Sequence, residues 1–165
     1  MVIGVISDTH GRLDPAVEEV FAGVDHIFHA GDVGVAAILR QLDAIAPLTA
    51  VRGNCDDELS GLALPAVASE VLDGVRIVMV HDRTRLDVQA SPQLRRIMDE
   101  GYGVLIHGHT HAAEVAREQG VLSVNPGSAG MPRYGAPRSV ALLRIDGGET
   151  SAVIRPLGRD PSPEE

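Results

Sequence analysis

Short aliphatic runs recur along this chain, and most of them end in a Gly, Asp, Asn or His. Val2–Ile6 leads into Ser7-Asp8-Thr9-His10-Gly11, and Val75–Val80 leads into His81. Runs this short, flanked by turn residues and rich in Val and Ile, read as buried strands rather than helices. After the first strand, Asp14-Pro15 opens a helix expected to reach residue 22. Strands follow at 26–30 and 48–51, with a helix over 36–44 between them. This βαβαβ order implies parallel strands with right-handed crossovers.

The second half is richer in hairpins. Val67–Leu72 and Val75–Val80 flank Asp73-Gly74, a strong two-residue turn signal. A helix over 92–100 precedes a buried strand at Val104–Ile106. Strands over 113–117 and 121–124 pair around Gln119-Gly120, and strands over 139–145 and 150–155 pair around Gly147-Gly148. A parallel half followed by an antiparallel half predicts two sheets packed face to face with helices outside. The 165 residues suit one domain, expected over 1–157, with a disordered Pro-rich tail over 158–165. A (β/α)8 barrel, which needs about 250 residues, is excluded. Aromatic residues make up 2% and Trp is absent, so the core must be aliphatic.

The polar residues at the strand ends carry the chemistry. Asp8 and His10 follow the first strand, Asp32 the second, Asn54 the third and His81 the fifth. His107, His109 and His111 follow Val104–Ile106. Ligands of open α/β sheets bind beyond the carboxyl ends of the strands, so these residues can converge on one rim. Carboxylates, imidazoles and an amide oxygen form a mixed N/O donor set suited to Mn, Fe, Zn or Ni. Two metals about 3.5–4 Å apart need a bridging carboxylate and several outer ligands, and the set is large enough for that. Each fragment alone is common in ordinary loops; their conjunction in chain order, each after a strand, is not.

Other features set limits. The formal charge is −9, which disfavours non-specific nucleic-acid binding and anionic membrane surfaces. Cys55 is the single cysteine, so no internal disulfide can form, as suits a reducing compartment. No apolar run approaches a membrane span, and Met1 runs into the first strand without a basic leader. A cytoplasmic protein is expected. A homodimer through short edge strands is compatible with the sequence.

Taken together, Ser7-Asp8-Thr9-His10-Gly11, Ala30-Gly31-Asp32, Arg52-Gly53-Asn54-Cys55-Asp56, His81, Gly108-His109-Thr110-His111 and Asn125-Pro126-Gly127-Ser128 resemble the calcineurin-like metallophosphoesterase superfamily. The nearest likeness is to its branch of small bacterial and archaeal phosphodiesterases related to the small retromer subunit. Pro132-Arg133 and Pro137-Arg138-Ser139 are similar to the same branch. The resemblance implies an α/β fold, an αββα sandwich of two mixed sheets flanked by helices. It implies two divalent ions, Mn²⁺ first, with Zn²⁺, Fe²⁺ or Ni²⁺ as alternatives. By analogy the first takes Asp8, His10, Asp32 and His111, and the second takes Asp32, Asn54, His81 and His109, with Asp32 bridging. The implied reaction is hydrolysis of a small phosphodiester by a metal-bridging hydroxide. Asp32, Asn54 and His81 would also be catalytic. His107, outside the ligand set, is expected behind the ligands or facing substrate and is counted with them. Arg133 and Arg138 are candidate substrate clamps, with solvent exposure or a subunit contact as the alternative. His29 is expected either to orient a ligand or simply to end a strand. A phosphomonoesterase with the same site and a non-catalytic retromer-like scaffold are the competing functions.

Two positions depart from the superfamily pattern. Cys55 stands where many members carry a His that assists the leaving group, although this branch often has the Cys. Asp82 follows His81 where Gly is common, and it is expected either to crowd the second metal or to point away.

Overall fold

The computed structural model describes residues 1–56, 63–86 and 92–158. Beyond Gly158, the tail expected over 158–165 lies outside the described residues. The strands are β1 (Val2–Ile6), β2 (His26–His29), β3 (Leu48–Ala50), β4 (Val67–Leu72), β5 (Val75–Val80), β6 (Val104–Ile106), β7 (Glu114–Glu118), β8 (Val121–Asn125), β9 (Ser139–Asp146) and β10 (Glu149–Pro156). The helices are α1 (Ala16–Val20), α2 (Ala36–Asp43) and α3 (Pro92–Asp99).

Two five-stranded mixed sheets form, in the orders β10-β9-β1-β2-β3 and β4-β5-β6-β8-β7. The expected division into a parallel and an antiparallel half needs correction. The C-terminal hairpin β9–β10 joins the N-terminal sheet, antiparallel to β1. In the other sheet β5, β6 and β8 are parallel, and only the edges β4 and β7 run antiparallel. Sheet membership is a long-range choice. β9 has Ala141, Leu143 and Ile145 alternating toward the inter-sheet core, so it completes the same layer as Ile3 and Val5 of β1.

That core is aliphatic, as the composition requires. Ile3, Val5 and Phe28 face Ile77, Met79, Ile106 and Val124 across the sandwich. The outer face of the first sheet is covered by α1 and α2, where Val17, Phe21, Ile38 and Leu42 pack on Ile6 and Ile27. The other sheet's outer face buries a smaller cluster, Val78, Val80 and Leu86. A polar link also joins the two sheets. His26 of β2 hydrogen-bonds Thr49 of β3 at 2.9 Å, and the Thr49 hydroxyl donates to Glu70 of β4.

The turn chemistry follows the sequence. Asp73 and Gly74 have φ of 48° and 76°, the two positive values of a type I′ hairpin. The turns at Gly74, Gly120 and Gly148 gather at one end of the sandwich, where with Arg76 and Arg117 they line a shallow polar cavity.

Arg138 corrects an expectation. It is buried, and its guanidinium pairs with Asp14 Oδ2 at 3.0 Å. The other Asp14 oxygen accepts the Ala16 N–H at 2.9 Å, at the start of α1. Arg138 therefore ties the entry to β9 to the entry to α1, and it does not reach a substrate. Removing it leaves a buried carboxylate without its cation. We expect Arg138→Ala to lower stability by about 3 kcal/mol in urea denaturation; a change within the error of the wild-type curve would show that the pair is dispensable.

Candidate metal centre

The strands that run parallel in both sheets end at one rim. Backbone hydrogen bonds between the loops hold that rim together. Asp8 N–H donates to Gly31, His10 N–H to Asp32, Gly11 N–H to Val33, Ala129 N–H to Ser7 and Gly108 N–H to His81, all at 2.8–3.0 Å. Asp8, His10, Asp32, His109 and His111 all have positive φ, between 47° and 69°. Few non-glycine residues adopt this backbone, and Asp and His are among the types that tolerate it. Five such residues gather on this one rim.

Each carboxylate is held by one oxygen and presents the other. Asp8 is fully buried; its Oδ2 accepts from the Ser7 hydroxyl at 2.6 Å and the His109 N–H at 3.1 Å. Its Oδ1 is buried with no hydrogen-bond partner, 3.1 Å from His111 Nε2. Asp32 Oδ1 accepts the Cys55 N–H at 2.8 Å. Its Oδ2 lies between His10 Nε2, at 3.8 Å, and His81 Nε2, at 3.4 Å. Gly108 is required by this crowding, because a Cβ there would lie 1.9 Å from Ser7 Oγ.

The histidines are aimed in the same way. His81 Nδ1–H donates to the Ala30 carbonyl at 2.7 Å, and His111 Nδ1–H to the Met131 carbonyl at 2.6 Å. Both present Nε2 to the rim, as metal-ligating imidazoles do. Asn54 Oδ1 lies 3.1 Å from His81 Nε2 and 2.9 Å from His109 Nδ1. His10 and His111 meet through their Nε2 atoms at 3.4 Å.

Asp8, His10 and His111 thus form one group of close donor atoms, and Asp8, Asp32 and His81 another. Asp8 Oδ1, buried and unpartnered among imidazole nitrogens, fits a cation; a buried carboxylate oxygen needs a partner. The field at the rim is negative, as a cation site requires. Burial raises the Asp8 pKa, but the Ser7 hydroxyl and the neighbouring His111 and His81 imidazoles outweigh it and hold the carboxyl below its ordinary value. For Asp32, burial is likewise outweighed, by His81 and the Cys55 N–H, so its carboxyl also lies below the usual range. The Asp8 carboxylate beside it raises the His111 pKa. Burial lowers that of His81, yet Asp32 and Asp8 prevail and raise it.

Of the two places expected for His107, the structure shows the one behind the ligands. Its ring is buried away from this cluster, with Nε2 3.1 Å from Ser123 Oγ and Nδ1 3.4 Å from the Asn125 amide nitrogen. The Asn125 amide also donates to the Gly108 carbonyl at 3.0 Å and to Thr110 Oγ1 at 2.9 Å. Burial and the Arg83 charge push the His107 pKa down to about 4. Through Asn125 it supports the His109 loop from behind.

The two departures resolve differently. Asp82 Oδ1 accepts from the Thr84 N–H and hydroxyl at 3.0 and 2.7 Å, while Oδ2 sits 3.9 Å from His109 Nε2, behind the ring. Cys55 is exposed, with its sulfur grouped near the His10 and Asp32 donor atoms. Burial and the Asp32 charge raise the thiol pKa, so it stays protonated and is a poor nucleophile.

Asp56, which closes the Arg52–Asp56 motif, has a role that the motif reveals only in part. Its buried carboxylate accepts three N–H groups, from Val33, Gly34 and Gly53, at 2.9–3.0 Å. It locks the loop after β3 to the loop after β2. The signal was available: a carboxylate ending a Gly-Asn turn can cap the turn's own amides. Arg133 is exposed near the rim, where its charge acts on His111.

Two mixed sheets with an N/O donor cluster on the rim where strands of both end make a metallophosphatase fold. The model of the calcineurin-like phosphoesterase superfamily domain matches residues 1–148, and the chain belongs to that superfamily. It is 38% identical over 162 residues to a probable metallophosphoesterase of Methanothermobacter thermautotrophicus, covering 93% of this chain and 91% of the relative. It is 30% identical over 164 residues to the phosphodiesterase YfcE of Escherichia coli strain K12, covering 85% of each. In fold it is similar to wild-type Vps29 of Entamoeba histolytica complexed with Zn²⁺, with a TM-score of 0.69, 22% identity, and 96% of this chain and 100% of that chain covered. Among the described residues, no helix is long and apolar enough to cross a membrane.

His29 links two of the loops. The Gly31 N–H donates to its Nδ1 at 3.2 Å, and its Nε2 faces the Thr9 hydroxyl at 2.9 Å. Burial, opposed by Asp56 and Asp8, pulls its pKa from 6.5 down to about 4. Between those values the unfolded chain binds a proton that the folded chain refuses, so stability falls as pH drops from 6.5 to about 4. We expect the urea midpoint of the metal-free protein to fall through that window, and His29→Gln to flatten the fall. An equal slope in the variant would place the acid sensitivity elsewhere.

Proposed function

We propose that this protein hydrolyses phosphodiester bonds with two divalent cations at the rim. Asp8, His10, Asp32 and His111 would hold the first; Asp32, Asn54, His81 and His109 would hold the second. The observation that carries this reading is the unpartnered, buried Asp8 Oδ1 beside an Asp32 Oδ2 that already lies between two imidazoles. When bound, the cations supply the positive charge that makes water easier to deprotonate and draws in phosphate oxygens. Mn²⁺ is the first candidate, with Zn²⁺, Fe²⁺ or Ni²⁺ behind it.

The chain's own groups set the rest. The Ala30 and Met131 carbonyls hold His81 and His111 with Nε2 forward, so their geometry is preset. Asn54 offers its oxygen to the rim, and its amide N–H groups can donate to a phosphate oxygen. A neutral Cys55 thiol is a weak acid for a departing alkoxide. A diester whose leaving group departs easily suits such a site better than an alkyl monoester. The complete donor set speaks against a purely scaffolding role. The single thiol and the acidic charge suit work in the cytoplasm on a small phosphoester rather than on nucleic acid.

Chelator-stripped protein should not hydrolyse bis-p-nitrophenyl phosphate, and Mn²⁺ should restore the activity. His109→Ala should reduce it by about 100-fold or more. Faster turnover of p-nitrophenyl phosphate than of the diester would favour a monoesterase. A blank across Mn²⁺, Zn²⁺, Ni²⁺ and Co²⁺ would favour a scaffold.

A further inference from the structure

The loop after β8 is anchored to the centre at one end and to the fold at the other. Ser128 Oγ donates to the Asp8 carbonyl at 2.9 Å, and Gly130 N–H donates to the same carbonyl at 3.2 Å. The Met131 carbonyl holds His111. At the far end Arg138 is buried against Asp14. Between these anchors the chain turns tightly, with the Ala136 N–H donating to the Arg133 carbonyl at 3.1 Å. Tyr134 and Gly135 have φ of 56° and 73°, so Tyr134 occupies the first corner of a type I′ turn.

Tyrosine is an unusual choice there, since Asn, Asp or Gly takes that corner without strain. It is also one of only four aromatic residues in the chain, counting two Tyr and two Phe. Both Phe side chains are buried in the core, whereas Tyr134 is 101% exposed. Met131, 58% exposed, lies three residues before it, and exposed Arg133 stands between them. Three residues span at most about 11 Å, so the backbone of this turn stays within that reach of the Met131 carbonyl that holds His111. The Arg133 charge acts on His111, and Met131 and Tyr134, both exposed, stand two residues before Arg133 and one residue after it. Together they suit a ligand that combines a flat ring with an anion.

We infer that Met131, Arg133 and Tyr134 form a specificity rim that selects phosphodiesters carrying a nucleobase-like aromatic group, the ring lying on Tyr134 and Arg133 drawing in a phosphate oxygen. The inference rests on the phosphodiesterase reading. Tyr134 is a binding residue here and takes no part in bond cleavage.

The test compares two esters that release the same p-nitrophenolate, thymidine 5′-p-nitrophenyl phosphate and methyl p-nitrophenyl phosphate, with the Mn²⁺-loaded protein. The wild type should favour the nucleoside ester in kcat/KM. Tyr134→Ala should shrink that ratio by about tenfold, mainly through KM, as loss of one stacked base does. Tyr134→Phe should keep it, because the ring remains, and Arg133→Ala should raise KM for both esters. Equal wild-type rates on the two esters, or an unchanged ratio in Tyr134→Ala, would overturn the inference and leave the phosphodiesterase reading intact. No hydrolysis of either ester would overturn both.

Discussion

Two carboxylates, Asp8 and Asp32, sit almost wholly out of water at the ends of adjacent parallel strands. Buried carboxylates are tolerated only where hydrogen bonds and opposite charge replace the lost water. The rim supplies both, and its form follows from that need. One oxygen of each carboxylate takes backbone or hydroxyl donors, and the other turns toward imidazoles. The loops that deliver the donors must approach within hydrogen-bond distance. Hence glycine at 108 and left-handed backbone at five of the donor positions.

A second layer of buried polar groups fixes those loops. Asp56, His29 and Asn125 each satisfy groups from more than one segment of the rim. None of them points a free atom at the centre. They convert a set of flexible connections into a rigid edge, so the donors meet without a side chain having to search for its partner. Such preorganisation is what electrostatic catalysis and metal binding both require.

Much of this was legible in the sequence. Strand positions followed from apolar runs, and the hairpins from Asp-Gly and Gly-Gly signals, because both are local. The rim followed from one rule about strand ends. What escaped was the direction in which a side chain points. Arg138 looked like a clamp because it shares a loop with Arg133, yet its neighbour in space is Asp14, 124 residues earlier in the chain. His107 shares the alternating histidine run, but the strand's two-residue period continues through Ile106 and turns its ring to the opposite side of the sheet from the cluster. The destination of β9–β10 depended on which exposed sheet edge was left to pair, which no local pattern records.

The molecule is polarised along its strands. Every segment with chemical duties leaves one end, while the hairpin turns at Gly74, Gly120 and Gly148 close the other. Those turns contribute nothing to the rim and are linked to it only through the sandwich core. They are the places where length can change freely: an inserted loop, an affinity handle or a fused domain grafted at that end leaves the donor geometry as it is. New attachments can therefore be added to this fold without renegotiating its chemistry.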